Sequence, residues 1–472
     1  MAVMRKRFVS SSAGEEDTNL WEHPHTSESD QPSEEHPYAS LLCCHNIQDS
    51  LLSSNSNFTG YRGILNWIII LLVLTHAHLF LENFIQHGFL IDVRKVLGHL
   101  IEDSCNWPSV NLILAANLFA LVALYLEKTQ EKGVLSSTTS HRLHLINLGL
   151  LLLLPAVVIG YEPRISTGGA FFSLWFYIIL SLKLYSYQET NCWYRQALLE
   201  AARVGSVAQK DHNENLTLKD LYYFLFAPTL CYQRDFPRTP KVRINKLLHR
   251  LLEMVVVIQI MVAIVQQWIE PIFQKSEKPF TSMDITLRVK HLVGLVAPTH
   301  FLWLLFFFLT HSYLNFCAEL LCFGDRHFYG DWWNAQTLTS FWNTWNIPFQ
   351  KWINRHVYAQ LVERNVSPTK AEFLVFLMSA ALCEYLVALP LHSCRLWIFL
   401  VMVSELLVAV FLGNSFQGNY GNGLVWLCLL LGPPLAVTTY FHDHYIGSHH
   451  HSRSISAPLA SDHRVSYSFI NI

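Results

Sequence analysis

Residues 371–389 read AEFLVFLMSAALCEYLVAL, nineteen positions of which only Glu372 and Glu384 carry charge. A hydrocarbon layer of about 30 Å takes roughly 20 apolar residues in a helix, so the stretch reads as a membrane span. Glu384 then lies inside the layer, where an ionisable group costs a few kcal/mol and marks a candidate site. The same criterion applied outward finds runs near 63–84, 109–126, 141–160, 170–187, 250–268, 291–312, 395–413 and 423–441, nine spans with the first. The fold class is all-α, a polytopic transmembrane helical bundle.

Composition points the same way. Charged residues are 14% of the 472, hydrophobic ones 51% and aromatic ones 13%. A water-soluble domain carries roughly 25% charge to cover its surface. The formal net charge of −2 offers no basic field for nucleic acid. Ten Cys are scattered without a CxxC spacing, which gives neither a zinc site nor a disulfide framework. The basic start Met4-Arg5-Lys6-Arg7 leads into a Ser-rich polar stretch, not an apolar run, so no secretory signal is read.

Residues 1–60 are rich in Ser, Glu, His and Pro and lack periodicity, the pattern of a disordered tail in which Ser10, Ser11 and Ser12 are open to phosphorylation. The polar end, 447–472, is expected to be a second disordered tail, its His449-His450-His451 run at most a loose metal binder. Residues 61–446 form the membrane domain. Between the fourth and fifth spans, residues 188–249 hold nine Lys/Arg, which places that segment in the cytosol by the positive-inside rule. The N-terminus then lies in the cytosol and, with nine spans, the C-terminus in the lumen. The sequons at Asn57, Asn215 and Asn365 face the cytosol on this reading and stay unmodified.

Residues 320–365 hold five of the 14 Trp, namely Trp332, Trp333, Trp342, Trp345 and Trp352. Trp favours the membrane–water boundary, so 338–358 reads as an interfacial amphipathic helix on the cytosolic side. Polar groups inside spans are Glu384, Glu405, Gln259, Gln266 and Gln267, with His442, Asp443 and His444 closing the last span. For each, a helix–helix hydrogen bond weighs about as much as a functional site. These observations alone leave a lipid enzyme, a transporter and a receptor open.

Four strings narrow the choice. Phe328-Tyr329-Gly330-Asp331-Trp332-Trp333-Asn334 matches an FYxDWWN signature. Tyr61-Arg62-Gly63-Ile64-Leu65-Asn66-Trp67, the run from Asp220-Leu221-Tyr222-Tyr223 to Leu230-Cys231-Tyr232, and Phe416-Gln417-Gly418-Asn419-Tyr420-Gly421-Asn422 accompany it. Over roughly 44–446 the chain resembles the membrane-bound O-acyltransferase family, in the branch that acylates diacylglycerol and sterols, with the diacylglycerol type favoured. The resemblance implies about nine spans around an internal tunnel in the endoplasmic reticulum membrane. It implies acyl transfer from acyl-CoA to diacylglycerol, giving triacylglycerol, with no cofactor and no metal. Partners on this reading are acyl-CoA, diacylglycerol, membrane lipids and further copies of the chain, as a homodimer or homotetramer. Sterol acylation is the nearest rival activity, and a non-catalytic lipid-binding partner is the rival of another class.

In the family the base is a His in an intramembrane His-Glu-Tyr string, with an Asn in a Trp-Asn-Ile-Pro stretch beside it. The Asn is Asn346, but the string here is Cys383-Glu384-Tyr385. Nearby, Gln350 stands where a His is common, Gly432-Pro433-Pro434 replaces a Gly-Gln-Pro, and Glu405 stands where an amide is expected. The resemblance thus assigns Cys383, Asn346 and Glu384 to catalysis and Gln350, Trp352 and Glu405 to substrate binding. Three readings of Cys383 stand. Another base acts, from Glu384, His356, His392 or a water chain. Cys383 itself accepts the acyl group. Or the chain is a catalytically impaired paralogue.

Overall fold

The computed structural model describes residues 107–162, 165–203, 216–276, 282–413 and 418–456, with 81, 82, 84–86, 88, 92, 279, 415 and 416. The N-terminal tail, the run 63–84 except for 81, 82 and 84, and the sequons Asn57 and Asn215 lie outside them. The named elements are helical, and an isolated bridge between Arg238 and Phe323 is the β pairing among the described residues.

Three long helices come first: α1 (Trp107–Glu131), α2 (Ser137–Tyr161) and α3 (Thr167–Arg203). α1 turns Ala116, Ala120 and Ala123 inward, each wholly buried, at the i, i+4, i+7 spacing of one helix face. Small residues there let neighbouring backbones approach closely. The short α4 (Leu218–Phe226) docks through Leu221 and Phe224 into the same core. The Lys183 ammonium of α3 donates to the carbonyls of Phe224, Leu225 and Ala227 at 3.0, 2.8 and 2.7 Å, which closes the C-terminal end of α4.

α5 (Ile244–Gln274) contains a π turn at Val265–Ile269. Pro271 follows it; proline has no N–H and its ring crowds the carbonyl four residues back, so the regular ladder gives way there. Leu248, Leu251, Leu252, Val255 and Val256 on α5 are exposed. So continuous an apolar face suits a lipid solvent and not water. α6 (Ile285–Leu320) packs against α5, and Thr299 on it bonds the Leu295 and Val296 carbonyls beside Pro298. At its end the buried Glu319 accepts from the Arg243 backbone N–H and Nε at 2.8 Å each and from Arg326 at 2.6 Å. That cluster joins the base of α5 to the strand of chain leading into the FYxDWWN string.

The remaining elements are α7 (Leu338–Trp345), α8 (Ile347–Ile353), α9 (Pro368–Ala388), α10 (Trp397–Leu412), α11 (Gly418–Leu431) and α12 (Pro433–Ser456). α8 runs on through a π turn, Asn354–Tyr358, into Ala359–Glu363. Seven helices among the described residues are long and apolar enough to cross a membrane, with α11 and α12 counted together as Gly418–Gly447.

Four expectations change. Nine spans are not counted among the described residues: the run 63–84 lies almost wholly outside them, and α10 has 16 residues, about 24 Å at 1.5 Å per residue, short of the layer. It is shortened by the turn before it, where His392 and Leu396 take positive φ of 48° and 58°. The interfacial helix 338–358 is broken at Asn346, and its Trp side chains do not share one outer stripe: Trp345 stacks on Trp303 of α6 and Trp352 packs on Tyr185 of α3. The last span begins at Gly418, not 423, and bends at Gly432, where Pro433 and Pro434 withhold two N–H donors. The C-terminal tail is helical to Ser456, two residues before Pro458; the residue preceding a proline is pushed out of the helical region.

Candidate active site

The FYxDWWN string is strapped along α7. Ile347 N–H donates to the Phe328 carbonyl at 3.0 Å and Gly330 N–H to the Thr344 carbonyl at 2.8 Å. A Cβ on Gly330 would stand 3.2 Å from Thr344, so the glycine permits this approach. Tyr329 Oη lies 2.6 Å from His311 Nδ1, and His311 Nε2 takes a hydrogen bond from Arg250 at 3.1 Å. A ring nitrogen that accepts from arginine carries no proton, so the imidazole hydrogen sits on Nδ1 and is donated to Tyr329. Burial pushes the Tyr329 phenol above its usual range, with Arg250 opposing.

Trp332 is buried among Trp303, Phe307, Phe341, Trp345 and Trp426. Trp303 of α6 stacks on Trp345 at 4.6 Å. The Trp333 carbonyl accepts from Asn422 at 3.0 Å and from the Trp426 indole at 3.2 Å. Gly421 is pressed so tightly that a Cβ would fall 2.3 Å from the Gln336 carbonyl oxygen. The two strings read separately in the sequence therefore form one joint. Within it Phe328 and Trp332 are structural packing, while Asp331, Trp333 and Asn334 are exposed.

Asn346 sits at the break between α7 and α8. Its Oδ1 accepts the Phe349 N–H at 3.2 Å as an N-cap, and the residue is exposed. Gln350 donates to the Trp342 carbonyl at 2.9 Å, which fixes the end of α7. Trp352 is buried and its indole donates to the Leu182 carbonyl of α3 at 2.8 Å. Cys383 on α9 is exposed. Glu384 is buried and both its oxygens are engaged: the Tyr440 hydroxyl donates to one and the Phe399 N–H to the other, at 3.1 Å. That carboxylate ties α9 to α10 and α12. Glu405 of α10 is buried as well; the Trp342 indole is set toward it, but neither oxygen has a well-formed hydrogen bond.

Of the other candidates, His356 is stacked on Trp193, with its Nε2 2.8 Å from Ser186 Oγ. Burial first, and the neighbouring Arg355 second, lower its pKa to about 3. His392 lies in the positive-φ turn before α10. Gln266 and Gln267 are buried in the π turn and bond the backbone of Asp92 and Gly88, while Gln259 is exposed. Asp443 pairs with Arg395 and touches His442, and His444 lies 3.3 Å from Thr167. The side chains of His449, His450 and His451 lie outside the described residues. Among the described residues no three His, Cys, Asp or Glu side chains come together to hold a metal.

A family model for MBOAT, the membrane-bound O-acyltransferase family, matches residues 113–442. The chain belongs to the membrane-bound O-acyltransferase family. It is 46% identical over 413 residues to the human protein named diacylglycerol O-acyltransferase 1, covering 86% of this chain and 85% of that protein. The bovine protein of the same name is 45% identical over 417 residues, with coverages of 86% and 85%. A Dictyostelium discoideum protein of that name is 32% identical over 419 residues, covering 88% of this chain and 67% of the relative.

In this member of the acyltransferase family two site features escaped the sequence reading. Lys183 stands in the middle of an apolar run, and the rule that singled out Glu384 picks it out too. The placement of Gly432 against Glu405 left no trace in the sequence. A Cβ there would lie 2.3 Å from Glu405 Oε1, so the missing side chain houses the carboxyl group.

Proposed function

We propose that the protein transfers a fatty acyl group from acyl-CoA to the hydroxyl of diacylglycerol in the endoplasmic reticulum membrane, giving triacylglycerol and free CoA. The identity of 46% over 86% of the chain to a diacylglycerol O-acyltransferase carries this reading. On this reading a tunnel runs through the helices past the exposed Cys383. Acyl-CoA places its head at the cytosolic mouth and its chain in the tunnel, and diacylglycerol enters from the bilayer. The aromatic wall of Trp303, Trp332, Trp342 and Trp345 excludes water, which would otherwise hydrolyse the thioester. Asn346, exposed at the helix break, orients the reacting carbonyl, with Gln350 holding the break in place. Glu384 positions α9 instead of moving a proton.

A nine-span arrangement requires residues 63–84 and α10 to cross as well, and it sets the N-terminus in the cytosol and the C-terminus in the lumen. The working assembly on this reading is a homodimer or homotetramer. One observation favours a second reading, a catalytically impaired lipid-binding paralogue: Cys383 puts a thiol, a weak proton acceptor, where imidazole is expected. Microsomes given labelled oleoyl-CoA and diacylglycerol separate the two. Label in triacylglycerol that disappears with Asn346→Ala supports the transferase. No label until Cys383→His is introduced supports the impaired paralogue, and preferential labelling of cholesterol overturns the acceptor.

A further inference from the structure

Among the described residues the Glu405 carboxyl is the buried acid least accounted for. It is 4% exposed, its hydrogen-bonding neighbour is the Trp342 indole, and neither oxygen has a well-formed hydrogen bond. A buried carboxyl on an apolar helix with so little hydrogen bonding is costly enough to mark a candidate site. It lies against Gly432, whose neighbours Pro433 and Pro434 wall a small cavity of about 30 Å³ together with Trp303, Phe341, Trp342 and Trp345. A space of that size takes a water or a hydroxyl group. The indole of Trp342 faces the carboxyl from the same wall and is its hydrogen-bonding neighbour, short of good geometry. Cys428 on α11 is the titratable group set against it.

Trp342 also places this carboxyl relative to the rest of the site. Its ring meets Phe376 of α9 at 6.2 Å, and Phe376, Ala380 and Cys383 follow one another along one face of that helix. Asn346 comes one turn after Trp342 at the end of α7. The other candidate proton acceptors are engaged or elsewhere. Glu384 has both oxygens committed, His356 is held beside Ser186 and Trp193, and His392 lies in the turn before α10. His300 has an unpartnered Nδ1, but its ring is held between Trp303 and Trp426 and takes no part in the contact between Glu405 and Gly432.

We infer that Glu405 is the general base of this acyltransferase, in the place that Cys383 leaves without one. The inference rests on the transferase reading above. The acceptor hydroxyl enters the small cavity and gives its proton to the Glu405 carboxylate as its oxygen bonds to the thioester carbon. The C–S bond then breaks, and the departing thiolate takes the proton back from Glu405 as free CoA. The carboxylate is regenerated, so no further reactant is required.

The test uses full-length protein with oleoyl-CoA and diacylglycerol, and measures oleoyl-CoA binding separately from transfer. Glu405→Gln keeps the shape and removes the base. Its kcat is expected to fall by about 100-fold or more, the contribution of a placed base, with oleoyl-CoA binding unchanged. Glu405→Asp should retain an intermediate rate, and the double variant Glu405→Gln with Cys383→His should recover activity because an imidazole supplies the base. Full activity in Glu405→Gln overturns the inference, as does loss of activity in His300→Gln alone. Oleoyl-CoA binding with transfer insensitive to Glu405 sinks the base assignment and leaves the transferase reading standing. No binding and no transfer, even with Cys383→His, sinks both.

Discussion

Replacing Lys183 by Met tests whether a buried cation holds α4 in place. The ammonium is 5% exposed and uses its three hydrogens on three carbonyls at 3.0, 2.8 and 2.7 Å. Those carbonyls close a helix end, where the chain has no N–H groups left to offer and where the helix dipole favours positive charge. Methionine preserves most of the apolar stem and removes every donor. Each orphaned carbonyl costs about 1–3 kcal/mol, and the sum is offset by several kcal/mol no longer spent desolvating the ammonium. A net loss of about 3 kcal/mol results, which for a chain of this size lowers the unfolding midpoint by about 3 °C. The measurement is thermal unfolding of the detergent-solubilised full chain, followed by size-exclusion chromatography of what survives heating. Lys183→Arg should not restore the midpoint, because a planar fork cannot converge on three carbonyls. An unfolding midpoint for Lys183→Met within about 1 °C of the parent would refute the reasoning. Activity should fall with stability, since α4 leads into the loop where Tyr232 bonds Asp220 and where Arg355 reaches the Tyr232 carbonyl.

Gly421→Ala forces a Cβ to 2.3 Å from the Gln336 carbonyl oxygen, so it should cost about 1–3 kcal/mol. Gly423→Ala, with nothing within 4 Å of its Cβ, should cost little, and comparison of the two unfolding midpoints checks this. Glu384→Gln should destabilise by about 1–3 kcal/mol. Tyr440 Oη already accepts the N–H groups of Arg395 and Trp397, so an amide donor facing it leaves its proton without an acceptor; oleoyl-CoA binding and the unfolding midpoint should drop together. His356, held near a pKa of about 3, is neutral in the fold and charges more readily in the unfolded chain. Its contribution is therefore complete above the unfolded pKa of about 6.5 and is lost as pH falls toward 3, by about 1.4 kcal/mol per unit. Unfolding midpoints between pH 7 and 5 should show that slope, and His356→Phe should flatten it.

The identity of the site elements divides along a physical line. The FYxDWWN string and the family to which it led were legible because side-chain type at fixed spacing is enough to recognise them. The role of each member was not. Trp352 and Gln350, expected at the substrate, turn out to donate to the Leu182 and Trp342 carbonyls, partners 170 and 8 residues away. Glu384 and Glu405 look alike in sequence, each a lone acid in an apolar run. They differ because Tyr440 and Phe399 reach the first, and the absent side chain of Gly432 makes room for the second.

The sequence by itself determined that the chain folds as helices in a membrane, since a long run of uncharged side chains finds no other solvent and a helix satisfies its own backbone. It did not determine where those helices stop. The break at Asn346, the shortening of α10 and the bend at Gly432 arise where caps, positive-φ residues and missing proline donors combine with packing. Only the tertiary structure decided which buried acid is engaged and which is available. A hydrogen bond between residues distant in the chain depends on where the helices meet, and hydrophobicity read along one helix carries no record of that meeting.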